Sequence, residues 1–292
     1  MNKILILGGS GFIGNSLISK LEKTYSLKLM IHNSDVKTNS KKFKANILSK
    51  SSFIDEIDND QIIINLLGQI TTNESDFFSS NIVGGLNLLN SCIEKKIKRI
   101  ILISSINVYG ENLDRPSKEN DTLFPKTMYG HVKMLTENLY KDFSKIYGIN
   151  VTILRLASIY GPNKKNGFLT KLINSTKDNK IIPECYNNGN QQRDILFIDD
   201  VINCIHNAIT YEHDGFEIFN VSSGERYSMN DLISKIESIT NTKLNIQYNS
   251  EVPDEKCIWA DNSKAKQLLN FEPKFDIDLG LNLSINNFNL DI

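Results

Sequence analysis

The chain has 292 residues, with 33 Lys and Arg against 34 Asp and Glu, a formal net charge of -1 and 40% hydrophobic residues. This length is ample for one large α/β domain or two interleaved lobes, and the balanced charge excludes an overall basic field for a nucleic-acid backbone. Periodic apolar blocks exclude disorder, and no uninterrupted apolar stretch approaches the roughly 20 residues that span a bilayer.

Strand-like and helix-like segments alternate along the chain. Residues 3–7 read as a short buried strand whose apolar run stops at Gly8-Gly9, short of the roughly 7–15 residues of a signal core. A helix follows to about residue 23. Strands are expected at 27–31 and 62–67, with Lys41-Lys42-x-Lys44 between them as a solvated loop. A helix over about 73–96 precedes the strand 99–104 (RIILIS). A long helix over about 129–147 stops at Gly148, and 151–154 is strand again. This repetition predicts an α/β fold, a Rossmann-like doubly wound parallel sheet with helices on both faces.

After Gly161-Pro162 the pattern loosens. Helices are expected at 168–177, 199–209, 229–240 and 263–269, and strands at 195–198 and 216–221. We expect a dinucleotide-binding domain over 1–160 and a smaller substrate-binding lobe over 161–292, with segments around 195–221 packing back on the first domain. Cys92, Cys185, Cys204 and Cys257 are far apart, and His32, His131, His206 and His213 show no ligand spacing. The reading is therefore a cytoplasmic protein with reduced thiols and no metal, neither bound to nucleic acid nor inserted in a membrane.

Gly8-Gly9-Ser10-Gly11-Phe12-Ile13-Gly14 follows the first strand directly and opens a helix. Glycine is required where the chain turns tightly, where amides approach a pyrophosphate, and where helix meets strand without a Cβ between them. The helix N-terminus adds free N–H groups and partial positive charge. Gly8, Gly11, Phe12, Ile13 and Gly14 are thus candidates for holding a nicotinamide dinucleotide. About 20 residues on, where an NAD-selective fold places a carboxylate on the ribose, stand His32-Asn33, with Asp35 the nearest acid. No arginine there clamps a 2′-phosphate, so NAD and NADP both stay open.

Tyr129 and Lys133 lie at i and i+4 near a helix start, hence on one face. A phenol has a pKa of about 10. A neighbouring ammonium and an oxidised nicotinamide would lower it and make the proton exchangeable. Ser105 ends the RIILIS strand at the carboxyl edge, where ligands of such sheets bind and a hydroxyl can hold a substrate oxygen.

Together these motifs resemble an extended short-chain dehydrogenase/reductase of the nucleotide-sugar epimerase/dehydratase family, over nearly the whole length. Ser104-Ser105-Ile106-Asn107-Val108-Tyr109-Gly110 resembles the family's S-S-x-x-V-Y-G. Asn81-Ile82-Val83-Gly84-Gly85 resembles N-V-x-G-T, and Arg155 through Tyr160-Gly161-Pro162 resembles R-x-x-N-x-Y-G-P. Arg193-Asp194 with Phe197-Ile198-Asp199-Asp200-Val201 resembles R-D-F-V-Y-V-D-D-V. Asn220-Val221-Ser222-Ser223-Gly224-Glu225 and Asp261-Asn262-Ser263-Lys264-Ala265 resemble the usual tail.

The resemblance implies Tyr129 as acid/base, Lys133 as ribose anchor and Ser105 as donor to the reacting sugar oxygen. It places His32 by the adenosine ribose, Asn46 and Ile47 by adenine, and Leu66, Leu67 and Gly68 along the cofactor. Ser158 would stand in the substrate wall, and Arg193 would pair with the substrate's pyrophosphate. Four departures narrow the reaction. Ile106 and Asn107 occupy the places of the dehydratases' Asp-Glu and exchange no protons, so dehydration is not expected. Asn46 replaces an Asp, Ser158 replaces an Asn, and Val252-Pro253-Asp254 lacks the R-P-x-D arginine that makes a second pyrophosphate contact.

The first expectation is an NAD(P)H-dependent reductase of a nucleotide-linked 4-keto-6-deoxyhexose, in deoxysugar or polysaccharide biosynthesis. The runner-up is a nucleotide-sugar 4-epimerase using the same three residues, and a non-catalytic NAD(P)-binding sensor is the third reading. Homologues of this kind often form homodimers through two helices of the nucleotide lobe.

Overall fold

The computed structural model describes residues 2–68, 74–111, 114–251 and 257–287. The first half runs β1 (Lys3–Leu7), α1 (Phe12–Leu21), β2 (Ser26–Ile31), β3 (Lys41–Lys44), β4 (Gln61–Asn65), α2 (Glu74–Glu94), β5 (Arg99–Ser105), α3 (Met128–Tyr147) and β6 (Asn150–Leu156). The second half adds β7 (Ser158–Tyr160), α4 (Phe168–Ser175), β8 (Glu184–Cys185), β9 (Gln192–Arg193), β10 (Ile195–Phe197), α5 (Ile198–Thr210) and β11 (Phe216–Val221). It closes with β12 (Tyr227–Ser228), α6 (Met229–Thr240), β13 (Gln247–Tyr248), β14 (Cys257–Ile258), α7 (Ser263–Leu269) and α8 (Ile277–Asn287).

Seven strands pair in parallel in the order β11-β6-β5-β4-β1-β2-β3, the doubly wound α/β sheet the strand–helix alternation predicts. Alternate side chains of each strand serve opposite faces. Ile4 and Ile6 join a core with Leu17 and Ile18 of α1 and Val201 and Ile205 of α5. Leu5 and Leu7 join a second core with Leu88 and Leu89 of α2 and Tyr140 of α3. Strands covered on both faces must be apolar at successive positions, which is why ILIL and IILI are unbroken runs. Strand β1 has β2 on one side and β4 on the other, so Leu7 and Asn65 end beside the crevice where the winding reverses. Such a crevice receives the ligand.

One segment departs from the expectation. The K-K-F-K segment is not a loop but the edge strand β3, paired with β2 from Lys28↔Lys41 to Ile31↔Lys44. Only Phe43 offers it an apolar side chain, and lysines on an edge strand deter further pairing, so the pattern hides the strand. The α8 segment, I-D-L-G-L-N-L-S-I, alternates like a strand yet is helical. It buries Ile277, Gly280, Leu281, Ser284 and Ile285, a helical spacing that counts small residues, and leaves Leu279 exposed. A Cβ on Gly280 would lie 2.0 Å from the Tyr160 hydroxyl oxygen, so glycine is what lets this helix pack there.

The acidic residues of the R-D and D-D-V segments act as staples. Asp194 is buried and accepts from Ser223 N at 2.9 Å and Ser223 Oγ at 2.7 Å. Burial pushes its pKa up to about 6. Asp200 of α5 accepts from the backbone N–H of Lys274 at 2.9 Å and of Phe275 at 3.2 Å. The four cysteines are unpaired and buried. Among the described residues no group of three or more His, Cys, Asp or Glu side chains is placed to hold a metal ion, and no helix is long and apolar enough to cross a membrane.

Candidate active site

The glycine turn packs against the end of β4. Gly8 has φ +80, and a Cβ there would meet the Leu66 carbonyl carbon at 3.1 Å. A Cβ on Gly14 would stand 2.4 Å from Gly9 O, so only glycine lets α1 start this close to the turn. Gly11 caps α1 and donates its N–H to Gly8 O at 3.1 Å. The first-turn amides of Phe12, Ile13 and Gly14 have no acceptor within the helix, as at helix N-termini that receive anions.

Across the sheet, α3 is started by Thr127, whose side chain accepts from Gly130 N, and it carries Tyr129 and Lys133 one turn apart. Lys133 is buried, and its ammonium donates to Leu67 O at 3.2 Å and Ile103 O at 3.1 Å. Burial pulls its pKa down to about 8, against the opposing pull of the Glu137 carboxylate. Gly68 lies against this ammonium, since a Cβ there would be 2.2 Å from Lys133 Nζ and 2.9 Å from Asn81 Oδ1.

The Ser105 hydroxyl interacts with the Tyr129 phenol and lowers its pKa, but burial outweighs it and raises the phenol above its ordinary value. The i, i+4 spacing predicts a lowering by Lys133. That expectation is for the ammonium acting together with an oxidised nicotinamide; here the ammonium donates to the Leu67 and Ile103 carbonyls. Ser105 Oγ also donates to Asn107 Oδ1 at 3.1 Å and accepts from Asn107 N at 3.3 Å. The Tyr129 ring stacks on Phe77 of α2, with centroids 5.5 Å apart and planes at 24°. The two carboxyl-edge sites therefore converge: the serine and phenol meet, with the buried lysine one helical turn away.

Behind them lies a buried charge network. Arg155 of β6 and Glu137 of α3 form an ion pair at 2.6 Å with both side chains almost fully buried. Glu137 also accepts from Ser104 Oγ at 2.5 Å, one residue from Ser105. Arg155 donates to the Tyr109 hydroxyl at 2.7 Å, and that hydroxyl donates to Asn220 Oδ1 at 2.7 Å.

The model of the NAD dependent epimerase/dehydratase family matches residues 4–222. The chain belongs to that family. It is 30% identical over 308 residues to an uncharacterized UDP-glucose epimerase of Bacillus subtilis, covering 96% of this chain and 95% of the relative. Among solved structures it resembles the UDP-glucose 4-epimerase of Thermotoga maritima with UDP-glucose, at 26% identity and TM-score 0.90 over 98% of each chain. It also resembles the UDP-glucuronic acid 4-epimerase of Bacillus cereus in complex with UDP-glucuronic acid and NAD. That match has 26% identity and TM-score 0.88 over 98% of this chain and 99% of the other. At the level of the family, this member is an NAD-dependent enzyme.

Other residues singled out in this epimerase/dehydratase family member lie apart from the Ser105–Tyr129 contact. His32 is exposed just beyond β2, and the nearby Asp35 is paired with Lys42 at 2.8 Å. Asn46 is exposed and accepts from Leu48 N at 3.0 Å, while Ile47 is buried under Gly84. Ser158 and Arg193 line a pocket of about 350 Å³ that none of Ser105, Tyr129 and Lys133 lines. Val252-Pro253-Asp254 lies outside the described residues. Sequence motifs alone do not assign Phe77 or Glu137 a place at the site, nor Asn81 its contact with Gly68. The one available signal is Glu137 at i+4 from Lys133, a carboxylate on a helix face that the Tyr–Lys pair already marks as inward.

Proposed function

We propose that the protein is a nucleotide-sugar 4-epimerase, working with a bound nicotinamide dinucleotide on a UDP-hexose or UDP-hexuronate. The observation that carries this reading is the Ser105–Tyr129 contact beside a buried Lys133, with no carboxylate at the two positions after Ser105. Ile106 is buried, and the Asn107 amide is bound to Ser105. Elimination of a sugar hydroxyl has no catalyst there, whereas exchange at C4 needs only these three side chains. The UDP-sugar epimerases among the relatives support the substrate class and favour epimerase over reductase, and the NAD bound in the Bacillus cereus epimerase favours NAD over NADP.

When bound, the nicotinamide supplies reversible hydride acceptance at the sugar carbon. Tyr129 removes the C4 hydroxyl proton and returns it after the sugar has presented its other face. Ser105 turns its hydroxyl from Asn107 to the same sugar oxygen and holds it in line. Lys133 sits under Gly68, where its ammonium reaches a ribose hydroxyl and, once so placed, helps the phenol give up its proton. Residues 1–160 supply the dinucleotide cradle in this reading, and residues 161–292 the wall for the nucleotide sugar.

A second reading, the 4-ketoreductase, draws on the exposed His32 and Asn46. Without a carboxylate at either place the adenosine is gripped loosely, which suits a cofactor exchanged at every turnover. The two separate in one assay of purified enzyme. UDP-glucose and UDP-glucuronate should convert to their C4 epimers with no net change at the nicotinamide absorption band. Tyr129→Phe should lower kcat by about 10²–10⁴-fold while NAD binding persists. Stoichiometric NAD(P)H consumption on a 4-keto-6-deoxy sugar nucleotide, with no epimer from either UDP sugar, would overturn the epimerase reading.

A further inference from the structure

The run from Ile62 to Leu67 is apolar but for one residue, Asn65, where β4 ends. Its side chain is buried, and a buried amide is costly unless its polar atoms are partnered. Both ends are. Asn65 Oδ1 accepts from Leu67 N at 3.0 Å, and Asn65 Nδ2 donates to the Tyr140 hydroxyl at 2.8 Å. A backbone N–H can only donate, so the Leu67 contact fixes which way the amide points. Tyr140 is itself fully buried, in the same core as Leu88 and Leu89.

These two bonds tie the backbone after β4 to α3. Tyr140 lies about two turns beyond Lys133 on that helix. The Lys133 ammonium donates to Leu67 O, on the same residue whose N–H Asn65 holds. Asn65 therefore grips both sides of the gap that the lysine stem crosses: the residue that receives the ammonium and the helix that carries it. Leu66 N donates to Leu7 O at 3.0 Å, so this segment is also bound to the strand that leads into the glycine turn.

We propose that Asn65 is a positioning residue for Lys133, a strut that keeps the Leu67 carbonyl and α3 at the separation that stations the ammonium beside Gly68. The inference rests on Lys133 serving the dinucleotide, as the epimerase reading has it. Without the strut, the Leu67 carbonyl turns away and the ammonium loses one of its two fixed acceptors, so the cation is no longer held in one place for the cofactor.

Calorimetric titration of NAD into wild type, Asn65→Leu, Asn65→Ser and Tyr140→Phe tests it, each with and without Lys133→Met and each beside a thermal melt. Asn65→Leu removes both bonds at similar volume and should weaken NAD by about tenfold, as for loss of a charge-assisted contact. Asn65→Ser keeps an acceptor for Leu67 N and should recover part of that affinity. Tyr140→Phe frees only the α3 end and should lose less than Asn65→Leu. In the Lys133→Met background Asn65→Leu should cost no further NAD affinity, because the group it positions is gone. An asparagine that only supports the fold would lower affinity equally in both backgrounds, and that result would overturn the proposal. Wild-type affinity in folded Asn65→Leu would overturn it too. If the Leu variant does not fold, the Ser and Phe variants carry the same comparison between backgrounds. Should Lys133→Met alone bind NAD as wild type does, the reading of Lys133 as the dinucleotide's anchor falls, and the proposal with it.

Discussion

A methyl group at residue 68 would intrude on the place of the Lys133 ammonium. The distance of 2.2 Å to Nζ and the φ of +125 act together, so alanine there is both crowded and strained. Gly68→Ala should shift the lysine from the Leu67 and Ile103 carbonyls and weaken NAD by about tenfold, while costing about 1–3 kcal/mol of stability. Titration of NAD with a parallel melt checks this, and unaltered NAD affinity would show that Lys133 does not serve the dinucleotide. The candidate residues legible in the sequence were those whose chemistry is local: glycines in a turn, a phenol one turn from an amine. Their partners were not. Phe77 reaches the site only because α2 packs beside α3, a proximity that no spacing encodes.

Helix α3 joins Tyr129 and Lys133 to the buried charge pair. Tyr129, Lys133 and Glu137 follow one another at intervals of one turn, and Glu137 is held by Arg155 and Ser104. The Lys133 pKa, lowered from 10.5 to about 8, means that its cation is present below about pH 8 and lost above it. Dinucleotide affinity should therefore decline as pH rises through about 8. Glu137 opposes the lowering, so Glu137→Gln should move that decline to lower pH. The same change leaves Arg155 buried without its counter-charge and should cost about 3–5 kcal/mol. NAD titrations across pH, beside denaturant melts, separate the two effects. An unmoved decline in a folded variant would mean that Glu137 is structural only. Element boundaries followed the sequence closely where caps are local, as at Gly148 with φ 67. They failed at β3, where the element is decided by what it pairs with.

Over the whole molecule, the two halves of the chain share one sheet. Strand β11 completes the edge beside β6, from Phe216↔Val151 to Val221↔Leu156, and α5 covers α1. Residues 1–160 alone would bare the apolar edge of β6 and the face of α1. They should collapse into an aggregation-prone, dye-binding state with fluctuating packing rather than a folded domain. Circular dichroism and dye binding on that fragment decide it, and a sharp cooperative melt would contradict the prediction.

The sequence by itself determined the parallel sheet, and it located the glycine turn and the Ser105, Tyr129 and Lys133 candidates. Each is written in short-range periodicity or fixed spacing, where covalent geometry and hydrogen bonding leave few alternatives. Only the tertiary structure decided the burial of the Glu137–Arg155 pair, the commitment of Lys133 to two carbonyls and the bond from Asn65 to Tyr140. Those depend on long-range packing, which sets desolvation and hence charge state, and a linear pattern carries no measure of either.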